Sequence, residues 1–179
     1  MFKTIALTIV VLLGIAIVAV LILAAAKPDT FRIARSTSIK APPEKIFPLI
    51  NDFRSWTAWS PYEKKDPDMK RTFSGAPSGK GTVYEWEGDK NVGSGRMEIA
   101  DTSPPSKVTI KLDMIKPFAA HNIVEYTLER KGDATDITWA MQGQTPYFAK
   151  IIHVFINMDK MVGRDFEAGL ADLKALAEK

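Results

Sequence analysis

The stretch "MDKMVGRDFEAGLADLKALAEK" (158–179) decides the fold. It has helical periodicity, yet Gly163 and Gly169 stand in its interior and Asp159 stands among its apolar residues. Each glycine costs a helix about 1 kcal/mol relative to alanine, so something outside the helix has to require them. Extended back to 147 and plotted at about 100° per residue, the segment places Phe148, Phe155, Val162 and Leu173 within about 40° of Phe166. Lys150, His153, Asn157, Lys160, Arg164 and Glu178 fall on the opposite side. The pattern predicts one amphipathic helix over 147–178. Gly163 and Gly169 flank its apolar stripe at about 60° on either side, and Asp159 falls at about 20°, near the centre. Glycines there either let a sheet approach closely or leave room beside Phe166 for a ligand. A carboxylate there needs hydrogen bonds, a counter-charge or water. Arg96, His121 and nearby backbone N–H groups are the candidate partners, and Asp159 either ties the helix down or forms the polar floor of a pocket.

The partner of that stripe lies upstream. "FRIARSTSIK" (31–40) has strand character, "APPEKIFPLINDF" (41–53) reads as a helix opened by two prolines, and "SWTAWSPY" (55–62) reads as a short helix or turn. From 68 to 144 the period changes to two: "DMKRTFSG", "GTVYEWEG", "VGSGRMEIAD", "KVTIKLDMI", "HNIVEYTLER" and "ATDITWAMQG" are joined by short turns. Short turns between consecutive strands imply an antiparallel sheet with one buried face. That face should carry Tyr84, Trp86, Met97, Leu112, Met114, Tyr126 and Trp139. Only the C-terminal helix is long enough to cover it. "GSG" (93–95) reads as a bend or bulge, not a nucleotide-binding loop.

The other end of the chain is different. Between Lys3 and Lys27 the run "TIALTIVVLLGIAIVAVLILAAA" carries no charge. As a helix it would be about 35 Å long, enough for a hydrocarbon core of about 30 Å. Ala24–Ala26 could serve as a signal cleavage site, but the run exceeds the usual apolar core of a signal peptide, about 7–15 residues. The expected organisation is a transmembrane anchor over 1–27 and a folded domain over 28–179, in the cell membrane by a single N-terminal pass. Lys27, Arg32 and Arg35 follow the span, but Arg32 and Arg35 also fit a strand, so the side of the membrane stays open.

Composition excludes several functions. The 179 residues carry a net charge of +3 with scattered basic residues, so no nucleic-acid footprint is seen. There is no cysteine, which rules out disulfides and thiolate chemistry. Neither metal-ligand spacing nor a nucleophile or phosphate-loop motif occurs, and no metal or cofactor is expected. Of the two histidines, His153 is expected on the solvent face of its helix, and His121 outward or at a strand rim.

Taken together, "STSIKAPPEKIFPLINDFRSWTAWSPY", "GKGTVYEWEGDKNVGSGRMEI", "PFAAHNIVEYTLE", "DITWAMQG" and "MDKMVGRDFEAGLADLKAL" resemble the START-like, helix-grip SRPBCC superfamily, in particular its polyketide cyclase/dehydrase-like branch. The resemblance implies an α+β fold: a curved antiparallel sheet wrapped around a long C-terminal helix, here preceded by a transmembrane helix. It also implies a hydrophobic cavity for a lipid, polyketide or similar apolar small molecule. Candidate lining residues are the seven sheet positions above together with Phe155, Asp159, Val162 and Phe166 from the helix, and Trp56 and Trp59, which with Tyr62 could frame a mouth or instead close the core. A cyclase or dehydratase would need an acid or base inside, for which Asp159, His121, Tyr84 and Tyr126 are the candidates. A protein-interaction module like the chaperone-activator relatives is the third reading.

Overall fold

The computed structural model describes residues 2–179, and these fall into two compact units, 2–31 with 144–158, and 32–143 with 159–179. In the first unit, α1 (Phe2–Ala25) is a 24-residue helix with no charge after Lys3, long and apolar enough to cross a membrane. The second helix of this unit, α4 (Tyr147–Phe155), packs against it.

The second unit is built on a seven-stranded antiparallel sheet: β1 (Thr30–Ile39), β2 (Lys70–Gly75), β3 (Thr82–Glu87), β4 (Ser94–Ser103), β5 (Lys107–Lys116), β6 (Ala120–Lys131) and β7 (Ala134–Gln144). Strands β2 to β7 form a meander, and β1 adds beside β7, giving the order β1-β7-β6-β5-β4-β3-β2. The register shifts between Ser94 and Gly95, so "GSG" is an irregularity in β4, as its sequence suggests. Between β1 and β2 lie α2 (Pro43–Asn51), a 3₁₀ helix (Phe53–Ala58) and α3 (Pro61–Lys65). The long C-terminal helix is α5 (Met158–Ala177), and its Val162, Phe166, Leu170 and Leu173 are buried. This is the helix-grip architecture expected from the sequence.

One helix was expected from 147 to 178, but two form. The chain leaves helical geometry at Ile156, whose φ of −116° and ψ of 126° are extended, and α5 starts afresh at Met158. Periodicity alone could not mark the break, because β-branched Ile156 and Asn157 are only mildly unfavourable in a helix. One consequence concerns Lys150, placed by the wheel on the solvent face. It is buried, with its side chain 8% exposed, and its Nζ lies 2.5 Å from Asp29 Oδ1.

The two glycines of α5 answer to close packing. A Cβ on Gly169 would lie 2.8 Å from both Pro61 Cδ and the Trp139 ring, and one on Gly163 would lie inside the Arg35 guanidinium. Both positions are where the helix meets the rest of the unit, and neither has room for a methyl group. Replacing Gly169 with alanine gains about 1 kcal/mol of helix propensity but forces overpacking that costs about 1–3 kcal/mol. Gly169→Ala is therefore expected to lower the urea midpoint of the full chain in detergent micelles, followed by tryptophan fluorescence. An unchanged or higher midpoint would show that the contact relaxes freely.

Candidate functional site

The inner face of the sheet carries the site. Period-two alternation and the cross-strand register place Trp86, Gly95, Met114 and Ala120 in one row, and Tyr84, Met97, Leu112 and Asn122 in the next. Ile99, Ile110, Val124 and Met141 follow, then Val108, Tyr126 and Trp139. Toward the last row the face is closed. Trp139 stacks on Phe166 of α5 at 4.1 Å with 11° between the planes, and Tyr126 lies 5.1 Å from Trp139. Trp59 meets both edge-on, at 5.8 and 6.2 Å, and Trp56 lies 5.1 Å from Trp59. Toward the other end Trp86, Leu112, Met114, Asn122 and Met141 are only half-buried. The Trp86 indole lies over Gly95, where any Cβ would come within 2.4 Å of the ring.

The spacing of Trp56 and Trp59 has a local cause. Three residues make one turn of a 3₁₀ helix, and Trp59 caps the end of this one with its backbone N–H donating to Trp56 O at 3.1 Å, which brings the two rings together. Their indole N–H groups then donate to Ile50 O at 3.0 Å and Leu49 O at 2.9 Å, capping carbonyls in the last turn of α2 that lack a partner within the helix. Both tryptophans are buried, at 3% and 0% exposure, so they close the core instead of framing a mouth. Trp86 likewise donates to Val92 O at 3.1 Å. The fourth indole differs: Trp139 Nε1 is buried without a hydrogen-bond partner, and so is the Tyr126 hydroxyl.

An acid does lie in the interior, at a position the local sequence pattern does not mark. Glu63, 7% exposed, accepts a hydrogen bond from Tyr84 Oη at 2.8 Å and pairs with Arg71 Nε at 2.7 Å. Arg71 is held further by Met69 O at 2.6 Å. Glu63 sits among Lys64, Lys65 and Asp66, so its local sequence looks like a solvated turn. The available signal was Arg71, which alternates with Met69 and Phe73 and therefore points to the face that needs an acid. Asn122 also faces inward, by the same alternation that turns Val124, Tyr126 and Leu128 to the inner face.

Asp159 takes the first of its two expected roles, tying the helix to the sheet, but at an exposed position and with another partner. The wheel gave its direction, since it does meet a sheet residue, but it occupies the first turn of α5, where the end of the helix is open to water. Its side chain is 62% exposed. Its partner is neither Arg96 nor His121 but Arg35 of β1, whose guanidinium donates to both carboxylate oxygens at 3.1 and 3.0 Å and to Asp159 O at 3.0 Å. Arg35 also pairs with Glu167 at 2.7 Å. This hydrogen-bonded pairing holds the Asp159 carboxyl below its ordinary pKa and raises that of Arg35. Arg96 is bonded instead to Glu98 at 2.8 Å. His121, expected outward or at a rim, is 84% exposed, and its Nδ1 lies 2.6 Å from Asp113 on the outer face. Phe155, expected to line the interior, belongs to α4 in the first unit and is 72% exposed.

The unit thus brings together Trp56, Trp59, Tyr84, Met97, Tyr126, Trp139 and Phe166 as a buried cluster, with Val162 at its border. Trp86, Leu112 and Met114 remain at its half-open end. The half-open end presents sulfur and indole surfaces of the kind an apolar body packs against, and the two unpartnered donors lie at the closed end.

Comparison with known proteins agrees in fold. A family model described as polyketide cyclase / dehydrase and lipid transport matches residues 30–178. Protein CV1439 from Chromobacterium violaceum is similar in structure at 16% identity and a TM-score of 0.60, over 86% of this chain and 99% of that one. The ginseng major latex-like protein 151 from Panax ginseng is similar at 13% identity and a TM-score of 0.59, over 85% and 100%. The Aha1 dimer from Colwellia psychrerythraea is similar at 16% identity and a TM-score of 0.57, over 83% and 96%. No curated protein matches the chain in sequence.

Two predictions arise from the interior polar groups. Burial pushes the phenols of Tyr62, Tyr84 and Tyr126 above their usual pKa, with the Glu63 carboxylate adding to the effect at Tyr84. In each case the folded state holds its proton more tightly than the unfolded chain, so the contribution is complete below about pH 10 and lost as pH rises beyond it. The tyrosinate absorbance of these three residues is expected to appear together with alkaline unfolding; normal titration near pH 10 in the folded state would contradict their burial. Separately, Glu63→Ala strands the Arg71 guanidinium and is expected to cost about 3 kcal/mol, at the lower end for a broken buried pair because Arg71 is 22% exposed. Glu63→Gln, which can still accept from Tyr84, should lose less in the same urea titration.

Proposed function

Because the chain belongs to the polyketide cyclase / dehydrase and lipid transport family, we propose that it is a membrane-anchored protein that binds an apolar small molecule bearing a hydrogen-bond-accepting oxygen. In this reading residues 1–27 are the anchor and residues 28–179 the binding domain. The apolar body of the ligand lies on Trp86, Leu112 and Met114 at the half-open end, with Asn122 beside it. Binding that opens the closed end would bring its oxygen to the Tyr126 hydroxyl and the Trp139 indole N–H. Those two groups carry the reading: they are donors at 0% and 2% residue exposure that lack a partner, and leaving a buried donor unsatisfied costs about 1–3 kcal/mol. A lipid, a polyketide or another carbonyl-bearing apolar molecule has the required chemistry. The candidate acids and bases favour binding over turnover. Asp159 and Glu63 are committed to arginines, and His121 lies with Asp113 on the outer face.

The test is native mass spectrometry of the full chain, extracted from its own cells in mild detergent. A co-purifying apolar molecule with a carbonyl or hydroxyl oxygen is expected, and chains that are empty in every preparation would refute the reading. With that ligand in hand, Tyr126→Phe should weaken binding by about tenfold, the loss of one hydrogen bond of about 1.4 kcal/mol. Its folding stability should hold or rise, because an orphaned hydroxyl is removed. Unchanged affinity would take the hydroxyl out of the site.

A further inference from the structure

We propose that α4 is an interfacial helix, lying in the headgroup and acyl boundary of a lipid bilayer beside the end of α1. The proposal rests on the reading of α1 as a membrane anchor and extends it to a second element.

The contacts within the first unit set the depth of α4. Tyr147 Oη donates to Leu21 O at 2.9 Å, Thr145 N donates to Asp29 O at 2.7 Å, and Lys150 Nζ lies 2.5 Å from Asp29 Oδ1. Ala24 is the buried residue of α1, at 0% exposure. These contacts span residues 21–29, across the point where the uncharged run ends and Lys27 follows. Where α1 leaves the hydrocarbon, α4 is therefore alongside it.

The outer surface of α4 matches that depth. Phe148 and Phe155 are seven residues apart and so share a face, and they are 59% and 72% exposed. Ile156 extends the patch at 43% exposure. The one lysine of α4 is turned away from this face, toward Asp29. Tyr147 has the amphipathic ring found where membranes meet water, and exposed Lys27 presents a cation at the level of lipid phosphates. An apolar face that continues a membrane-spanning segment and lies at its exit is the surface of a helix in the interface plane. A bilayer is the occupant this continuity selects, since lipid already surrounds α1 at the same height.

The natural absence of cysteine makes the test direct. Single-cysteine variants Phe148→Cys, Phe155→Cys, Val11→Cys in α1 and Lys90→Cys in the β3–β4 turn carry a spin label in the full chain. The protein is reconstituted in vesicles of phosphatidylcholine and phosphatidylglycerol, and label collisions with oxygen and with a water-soluble nickel chelate are compared. The ratio of oxygen to nickel collisions is expected to be several-fold higher at positions 148, 155 and 11 than at 90. A lipid-like ratio at 11 with water-like ratios at 148 and 155 overturns the proposal and leaves the anchor standing. A water-like ratio at 11 removes the anchor and the proposal together. Low collision with both reagents at 148 and 155 means a protein surface covers the face, and also overturns it; spin–spin broadening would identify a second copy.

Discussion

The approach of α5 to the sheet is the constraint on which the second unit depends. Phe166 reaches Trp139 in a 4.1 Å stack because Gly169 lets the helix backbone come down beside Pro61 and Trp139. One turn before Phe166, Gly163 leaves the space that the Arg35 guanidinium occupies. An alanine at Gly169 would keep the helix and lift it, and one at Gly163 would displace the Arg35 guanidinium. The helix gives up about 1 kcal/mol of propensity per glycine, and in exchange the two largest aromatic surfaces of helix and sheet touch without a gap. Arg35 then ties the end of α5 to β1 through Asp159 and Glu167. These pairs are exposed on their acidic side, so they orient the helix end more than they stabilise it.

From that contact the aromatic cluster spreads back through Trp59 and Trp56 to α2. The same tryptophans that fill the space above Tyr126 cap the last carbonyls of α2, so the helix end and the core are one cooperative arrangement. Polar groups in this interior are treated in two ways. Tyr84, Glu63 and Arg71 are mutually satisfied, as a buried ionised group requires. Tyr126 and Trp139 are not. The first set behaves as structure, and the second is where chemistry from outside the chain has something to complete.

The strands were legible because their apolar residues repeat every second position and short turns separate them; the inner faces of β3 to β7 follow from that rule alone. The meaning of single residues was less legible. The wheel correctly turned Asp159 toward the sheet, yet it could not say that Asp159 stands at a helix end in water, or that a strand 124 residues away supplies its partner. Glu63 was hidden by charged neighbours, although Arg71 on the apolar side of β2 signalled that an acid was needed.

Local pattern therefore settled the element types, the antiparallel meander, the family resemblance and the apolar N-terminal run, since each depends on periodicity, turn chemistry or composition within a short window. Folding in three dimensions settled the rest: the break before α5, the burial of Lys150 against Asp29, the pairing of Arg35, and which buried donors lack partners. Those outcomes depend on groups distant in sequence meeting in space, where a single methyl group or a missing hydrogen bond changes the result, and no window of sequence contains both sides of such a contact.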